Sequence, residues 1–163
     1  SFKRGKQRYG FSVCYVHYGI FTYESKGIGL NFGYSVDLKD KIKLGGAIQN
    51  LGKMTKLQTN EILLPQRIIV GVSKELKISQ IINFIYASVE KNILVPSAKI
   101  YLGNHINWDR VNFYSGISSS KKVLETSIGF GVLFNRFEVM YAIRYGSQNV
   151  GIPQFISLRF LLI

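Results

Sequence analysis

Lys26–Asn50 reads KGIGLNFGYSVDLKDKIKLGGAIQN. Ile28, Leu30, Phe32, Tyr34, Val36 and Leu38 take alternate positions, with Gly29, Asn31, Gly33, Ser35 and Asp37 between them. Successive side chains of a strand point to opposite faces, so this spacing predicts a ribbon with one bulky apolar side and one small polar side. After a short charged turn, Ile42 and Leu44 resume the pattern, which predicts a hairpin of Gly27–Leu38 and Lys41–Asn50 around LKDK. Which solvent each side meets decides the fold.

The same reading extends along the chain. Strands are predicted over Gln7–Ile20, Gln66–Glu75, Ser79–Glu90, Ser97–Asn107, Val111–Ser119, Val123–Phe134, Arg136–Tyr145 and Pro153–Ile163, giving about ten in all. Short turns are expected at ELKIS, NWDR and Asn135. Alternation is cleanest near the end. Ile128, Phe130, Val132 and Phe134 oppose Ser127, Gly129 and Gly131, and Phe137, Val139, Tyr141, Ile143 and Tyr145 oppose Arg136, Glu138 and Arg144. In the last strand Ile156, Leu158, Phe160 and Leu162 oppose Ser157 and Arg159.

The 163 residues suffice for one domain, 1–163. Mean hydropathy is only +0.11, and no run approaches the ~20 apolar residues of a membrane helix, which leaves membrane-crossing strands open. Ten Tyr, 11 Phe and 16 Gly against 3 Pro suit twisted, curved sheet. The net charge of +12 admits nucleic acid, anionic lipid or an acidic protein as partner. The basic residues fall mainly in turns and strand ends instead of gathering on one face, which argues against nucleic acid. The lone Cys14 precludes an intrachain disulfide. The opening SFKRGKQRYG shows neither a start methionine nor a signal peptide and fits a processed or truncated product.

A water-soluble sandwich shows the same period of two. Two features favour an antiparallel up-and-down transmembrane β-barrel. Charged or small residues recur on the second face, including Glu125, Glu138, Arg144 and Arg159, where a soluble barrel packs apolar side chains. Connections also alternate in length: FTYESK, Leu51 to Pro65, KNILVP and GSQNVG are the longer set, with SSKK the short exception. In this reading the apolar side faces hydrocarbon, while Asn31, Glu125, Glu138, Arg144 and Arg159 face a polar lumen, where the four charged residues are expected to pair across neighbouring strands. Tyr34, Tyr101, Phe134, Phe137 and Tyr145 are candidates for interface girdles, or for core aromatics of a soluble sandwich.

Several stretches resemble the PorV/PorQ family, FadL-like outer-membrane barrels. The resemblance begins at YESKGIGLNFGY and is strongest at KLGGAIQNLG (Lys43 to Gly52), followed by Leu64-Pro65 and RIIVGVSKEL. YLGNHINWDRVNFYSGI, IGFGVLFNRFEVMYAIR and QFISLRF resemble later strands. It covers the chain from about Tyr9 onward. It implies a barrel of about fourteen strands, of which this chain is the C-terminal part, in the bacterial outer membrane. It also implies an accessory or cargo-docking role in type IX protein secretion, with uptake of hydrophobic molecules as the FadL-like alternative. Family members often carry an acidic residue where this chain has Asn104.

No catalytic constellation or metal-ligand spacing is visible, so neither enzyme activity nor a cofactor is expected. His17 and His105 lie far apart; His105, beside Trp108 near a turn, reads as a surface or interface residue. Cys14 reads as a small buried or lipid-facing side chain, and the glycines of GIGLNFG as room for inward curvature. Asn50 and Gly52 tolerate positive φ and are expected to end a strand. The long connection supplies the candidate binding residues Lys53, Met54, Lys56, Leu57 and Glu61, or is an ordinary loop. Lys26, Lys91, Lys121 and Lys122 fall near the outer rim, where contact with lipopolysaccharide phosphates is expected. Other expected partners are outer-membrane lipid and secretion-system proteins or their cargo.

Overall fold

The computed structural model describes residues 2–20, 23–56, 63–147 and 151–160. Eleven strands follow one another: β1 (Phe2–Arg4), β2 (Gln7–Ile20), β3 (Tyr23–Asp37), β4 (Ile42–Met54), β5 (Arg67–Ile78), β6 (Ile81–Asn92), β7 (Ala98–Trp108), β8 (Val111–Ser120), β9 (Val123–Phe134), β10 (Phe137–Gly146) and β11 (Gln154–Phe160). They form a single antiparallel sheet in chain order. No second sheet packs on it among the described residues, so a two-sheet sandwich is not the architecture. Among the described residues no helix is long and apolar enough to cross a membrane.

Turn chemistry fixes the register. Two-residue hairpins join Arg4 to Gln7, Ile78 to Ile81, Trp108 to Val111 and Phe134 to Phe137. Their first turn residues, Gly5, Ser79, Asp109 and Asn135, hold φ of 59°, 54°, 52° and 51°. Glycine, Asn and Asp enter that left-handed region at least cost. The short turn Lys39–Lys41 between β3 and β4 lies at the same end of the sheet, with Asp40 and Lys41 also left-handed. This is the turn end. The longer connections lie at the opposite, loop end, with two exceptions: Lys121–Lys122 joins β8 to β9 tightly, and FTYESK is not the long link expected, because β3 already begins at Tyr23, paired with Ile20 of β2.

Besides the early start of β3, the strands differ from expectation at three places. β1 is additional, because three residues carry too little periodicity to register. The β5–β6 turn sits at Ser79–Gln80 instead of ELKIS, since Ile78 and Ile81 pair directly and keep the apolar alternation intact. β4 runs through Asn50 to Met54: pairing passes from Phe32–Ile48 to Leu30–Leu51, so β4 carries one extra residue and bulges. Asn50 sits in that bulge with φ of 59°. It interrupts the strand without ending it.

Cross-strand pairing lines up the apolar side chains in unbroken rows. Val132–Val139–Leu158 and Phe134–Phe137–Phe160 run across β9, β10 and β11, and Tyr9–Tyr34 and Phe11–Phe32 join β2 to β3. Ring centroids lie 4.7 Å apart for Phe137–Phe160 and 5.3 Å for Phe11–Phe32. These rows are exposed: Ile128 is 60% accessible, Leu158 61% and Ile156 80%. The opposite face is the buried one, with Glu138 at 6% and Asn112 at 8%. With no layer packed against it, that burial comes from the sheet curling around its polar side. Side chains two strands apart accordingly meet there, Asn112 of β8 reaching Glu138 of β10 at 3.0 Å. Leu64 is the one buried apolar side chain among the described residues, so the sheet has no hydrophobic core of the usual kind. Among those residues it is also open: β11 pairs only with β10, and β1 only with β2.

Candidate functional site on the polar face

Glu138, in β10, organises the turn end of the inner face. Its Oε1 accepts from Asn112 Nδ2 at 3.0 Å, and its Oε2 lies 3.1 Å from Arg159 of β11. Asn112 Oδ1 in turn accepts from Asn107 Nδ2 at 2.8 Å and lies 2.9 Å from His105 Nε2. His105 stacks on Tyr114 at 4.5 Å and on Phe84 at 5.6 Å. It is therefore part of the inner face and not an interface residue. Gly131 lies beside this network: a Cβ there would press on Met140 Cγ at 3.0 Å and would only touch Glu138 Oε1 at 3.5 Å. The sequence signal was present, since Tyr101, Gly103, His105 and Asn107 alternate with Leu102, Asn104, Ile106 and Trp108.

A second cluster occupies the loop end. Glu125 of β9 accepts from Ser118 at 2.9 Å and pairs with Lys99 of β7, two strands away. Tyr101 donates to Glu90 Oε2 at 3.0 Å, and Arg67 approaches Glu90 Oε1 at 3.7 Å. Tyr101 thus belongs to the polar face, which removes it from the girdle candidates; Tyr34, Phe134, Phe137 and Tyr145 lie on the apolar face. Arg144 lies over the Phe155 ring at 5.4 Å and shares a concavity of about 360 Å³ with Lys99, Ser118 and Glu125. Arg67 Nε is buried there without a partner. Cations and carboxylates alternating across neighbouring strands give the wall a transverse field, able to orient a polar solute or water.

Thr55, just after β4, and Leu64, just before β5, pack on part of this face. Leu64 is 4% accessible, and its Cδ1 would lie 3.5 Å from a Cβ on Gly29. Ser25, fully buried, donates to Thr55 O at 2.6 Å. Gly27 and Gly29 therefore give space to Met54 and to the Cys14 thiol, in addition to any curvature. Asn31 anchors the arrangement. It donates to Ser12 Oγ at 3.0 Å and accepts the Asn50 backbone N–H at 2.7 Å, while Asn50 Nδ2 donates to Pro65 O at 3.0 Å. Beside them Cys14 Sγ donates to Gly29 O at 3.3 Å, which places the thiol on the polar face and not toward lipid.

Of the other candidates, Lys53 and Met54 belong to β4 itself, on opposite faces, and Lys56 follows it. Leu57 and Glu61 lie outside the described residues. Asn31, Glu125, Glu138, Arg144 and Arg159 share the polar face. Lys26 pairs with Glu24 at 3.3 Å, Lys91 Nζ donates to Val95 O and Pro96 O at 2.8 and 2.6 Å, and Lys121 and Lys122 form the β8–β9 turn. All four stand at the loop end. A separate groove of about 600 Å³, lined by Gly10, Gly33, Gly45, Gly71 and Tyr86, has Arg8 and Lys43 at its turn end. Compared with known proteins, the chain matches no family model, no curated protein and no solved structure.

Proposed function

We propose that the chain forms the wall of an outer-membrane β-barrel of the PorV/PorQ type, acting as an accessory or cargo-docking component of protein secretion and not as an enzyme. One observation carries the membrane reading: Glu138, Asn112 and Ser118 are buried on one face while rows of Phe, Ile, Val and Leu are exposed on the other. In water each fully exposed apolar side chain forgoes about 1.5–3 kcal/mol of burial, and dozens exposed together exceed the 5–15 kcal/mol that stabilises a whole domain. In hydrocarbon the same face is at home. Strands of 10–15 residues in β2 to β10 are long enough to span it when tilted. The secretion role rests on the sequence resemblance, strongest at KLGGAIQNLG. The proposed partners are outer-membrane lipid, lipopolysaccharide phosphates at Lys26, Lys91, Lys121 and Lys122, and secretion-system proteins or their cargo. A FadL-like channel for hydrophobic molecules is the second reading, favoured by the groove with five glycines in its wall that ends at Arg8 and Lys43.

Fractionation of expressing cells tests the membrane assignment. The chain is expected in the outer-membrane fraction, and a monodisperse chain in detergent-free buffer would refute it. Ile128→Arg sharpens the test: facing lipid near mid-height, it costs about 2–4 kcal/mol, whereas on a water-exposed surface it is neutral. Co-purification then separates the two roles, secretion partners supporting one and a bound lipid-like molecule the other.

A further inference from the structure

The apolar face is interrupted across three adjacent strands by a hydrogen-bonded, uncharged polar cluster. Asn83 of β6, Asn104 of β7 and Ser115 of β8 all point to that face, as the alternation with Ile85, Leu102 and Ile117 requires. Asn104 pairs directly with Ser115 across β7–β8, and Ile85 pairs with Asn104 across β6–β7. Asn104 Nδ2 donates to Asn83 Oδ1 at 2.8 Å. That leaves Asn83 Nδ2, Asn104 Oδ1 and Ser115 Oγ without a hydrogen bond among the described residues. Their surroundings on this face are Leu102, Ile106, Phe113, Ile117 and Ile128. Asn104 and Ser115 lie well inside their strands, Ala98–Trp108 and Val111–Ser120, away from either rim. At that depth an acyl chain offers nothing to donate or accept, so Asn104 Oδ1 and Ser115 Oγ call for a protein partner, whereas Asn83, third in β6, lies nearer the turn end.

On the membrane reading above, we propose that this patch is the contact between two copies of the chain. The patch presents an unfilled amide donor, an unfilled amide acceptor and a hydroxyl that serves as either. Such a set is self-complementary, and a two-fold axis between Asn104 and Ser115, which face each other across β7–β8, lets each copy's Ser115 hydroxyl donate to the other's Asn104 carbonyl. Ser115 is small and exposed, which allows the two walls to approach closely. The patch itself is uncharged, so no like charges oppose one another at the axis. Lys74, exposed on the same face and opposite Ile85, lies farther along the row.

The test uses the full chain carrying Cys14→Ser, reconstituted in phosphatidylethanolamine–phosphatidylglycerol vesicles, with oxidative cross-linking at a single introduced thiol. Ser115→Cys is expected to give a covalent dimer, and Leu44→Cys, on the same face but at β4, is not. Adding Asn83→Leu and Asn104→Leu should reduce the Ser115→Cys dimer about tenfold while the chain remains in the vesicles. A Ser115→Cys chain that inserts but stays monomeric, cross-links no better than Leu44→Cys, or is indifferent to the leucine pair overturns the proposal and leaves the membrane reading standing. So does capture of a different protein in place of a second copy in native membranes. A chain that never inserts overturns both.

Discussion

Asn50 and Glu138 show how much of this wall depends on single side chains. Asn50 holds φ of 59° inside a strand, a region where most residues with a Cβ lose about 1–2 kcal/mol. Asn50→Ala should therefore destabilise the folded chain by about that amount, and Asn50→Gly by less, because glycine keeps the backbone and loses only the bond to Pro65 O. Urea titration in lipid measures both, and equal losses would show that the bulge is not what Asn50 supports. Gly52 stands two residues on, where a Cβ would collide with the Ile28 carbonyl oxygen, so the Asn-Leu-Gly run is a backbone device throughout. Glu138 is different, since its value lies in what it satisfies. Arg159 is 60% exposed, so their ion pair alone contributes little. Asn112, by contrast, is buried, and Glu138→Leu removes the acceptor of its amide, a cost of about 1–3 kcal/mol. Glu138→Gln retains an acceptor and should be milder. The same unfolding experiment ranks them, and a glutamine variant as weak as the leucine one would place the stabilisation in the ion pair.

At the scale of elements, the segment before β5 is the part of the wall most open to direct test. Leu64 covers Gly29, whose carbonyl receives the Cys14 thiol. Leu64→Ala should expose that position, so Cys14 should react faster with a water-soluble maleimide while reaction with a membrane-confined reagent stays unchanged. An unchanged maleimide rate would mean that Leu64 does not shield the thiol. This element was only partly legible in the sequence. Alternation is a local property, and from it the strands from Gln7 to Phe160 and the facing of Asn31, Glu125, Glu138, Arg144 and Arg159 could be read directly. What stacks over a strand is not local. GIGLNFG gives no hint that Leu64 will lie across it, and Lys53 and Met54 read as loop because Asn50 and Gly52 look like a strand end. Tyr101 was misread for another reason: its aromatic ring suggested an interface, although its place between Ile100 and Leu102 puts it on the polar side. The network joining Asn107, Asn112, Glu138 and Arg159 depends on the sheet curling enough for β8 to reach β10, and no pairwise spacing along the chain encodes that.

For the whole molecule, the direction of the edge strands constrains how the wall closes. An eleven-stranded meander has its first and last strands running the same way, so β1 and β11 both descend to the turn end. Direct closure would pair them in parallel, whereas bacterial outer-membrane barrels are antiparallel throughout with an even strand number. Antiparallel closure therefore takes an odd number of further strands between β11 and β1, and a barrel of about fourteen takes three. With three inserted, the two edges stand four strand spacings apart, roughly 19 Å along the wall. A disulfide tolerates a Cα separation of at most about 7 Å. Phe2 and Phe160 both lie on the apolar face, each on an edge strand, so a Phe2→Cys, Phe160→Cys chain lacking Cys14 measures the gap. Oxidised in vesicles at high dilution, it should yield no intramolecular bridge, read as unchanged mobility on a non-reducing gel. Efficient bridging would mean that the eleven strands close on themselves, and the barrel would then be smaller than the resemblance implies and break the antiparallel rule at its seam.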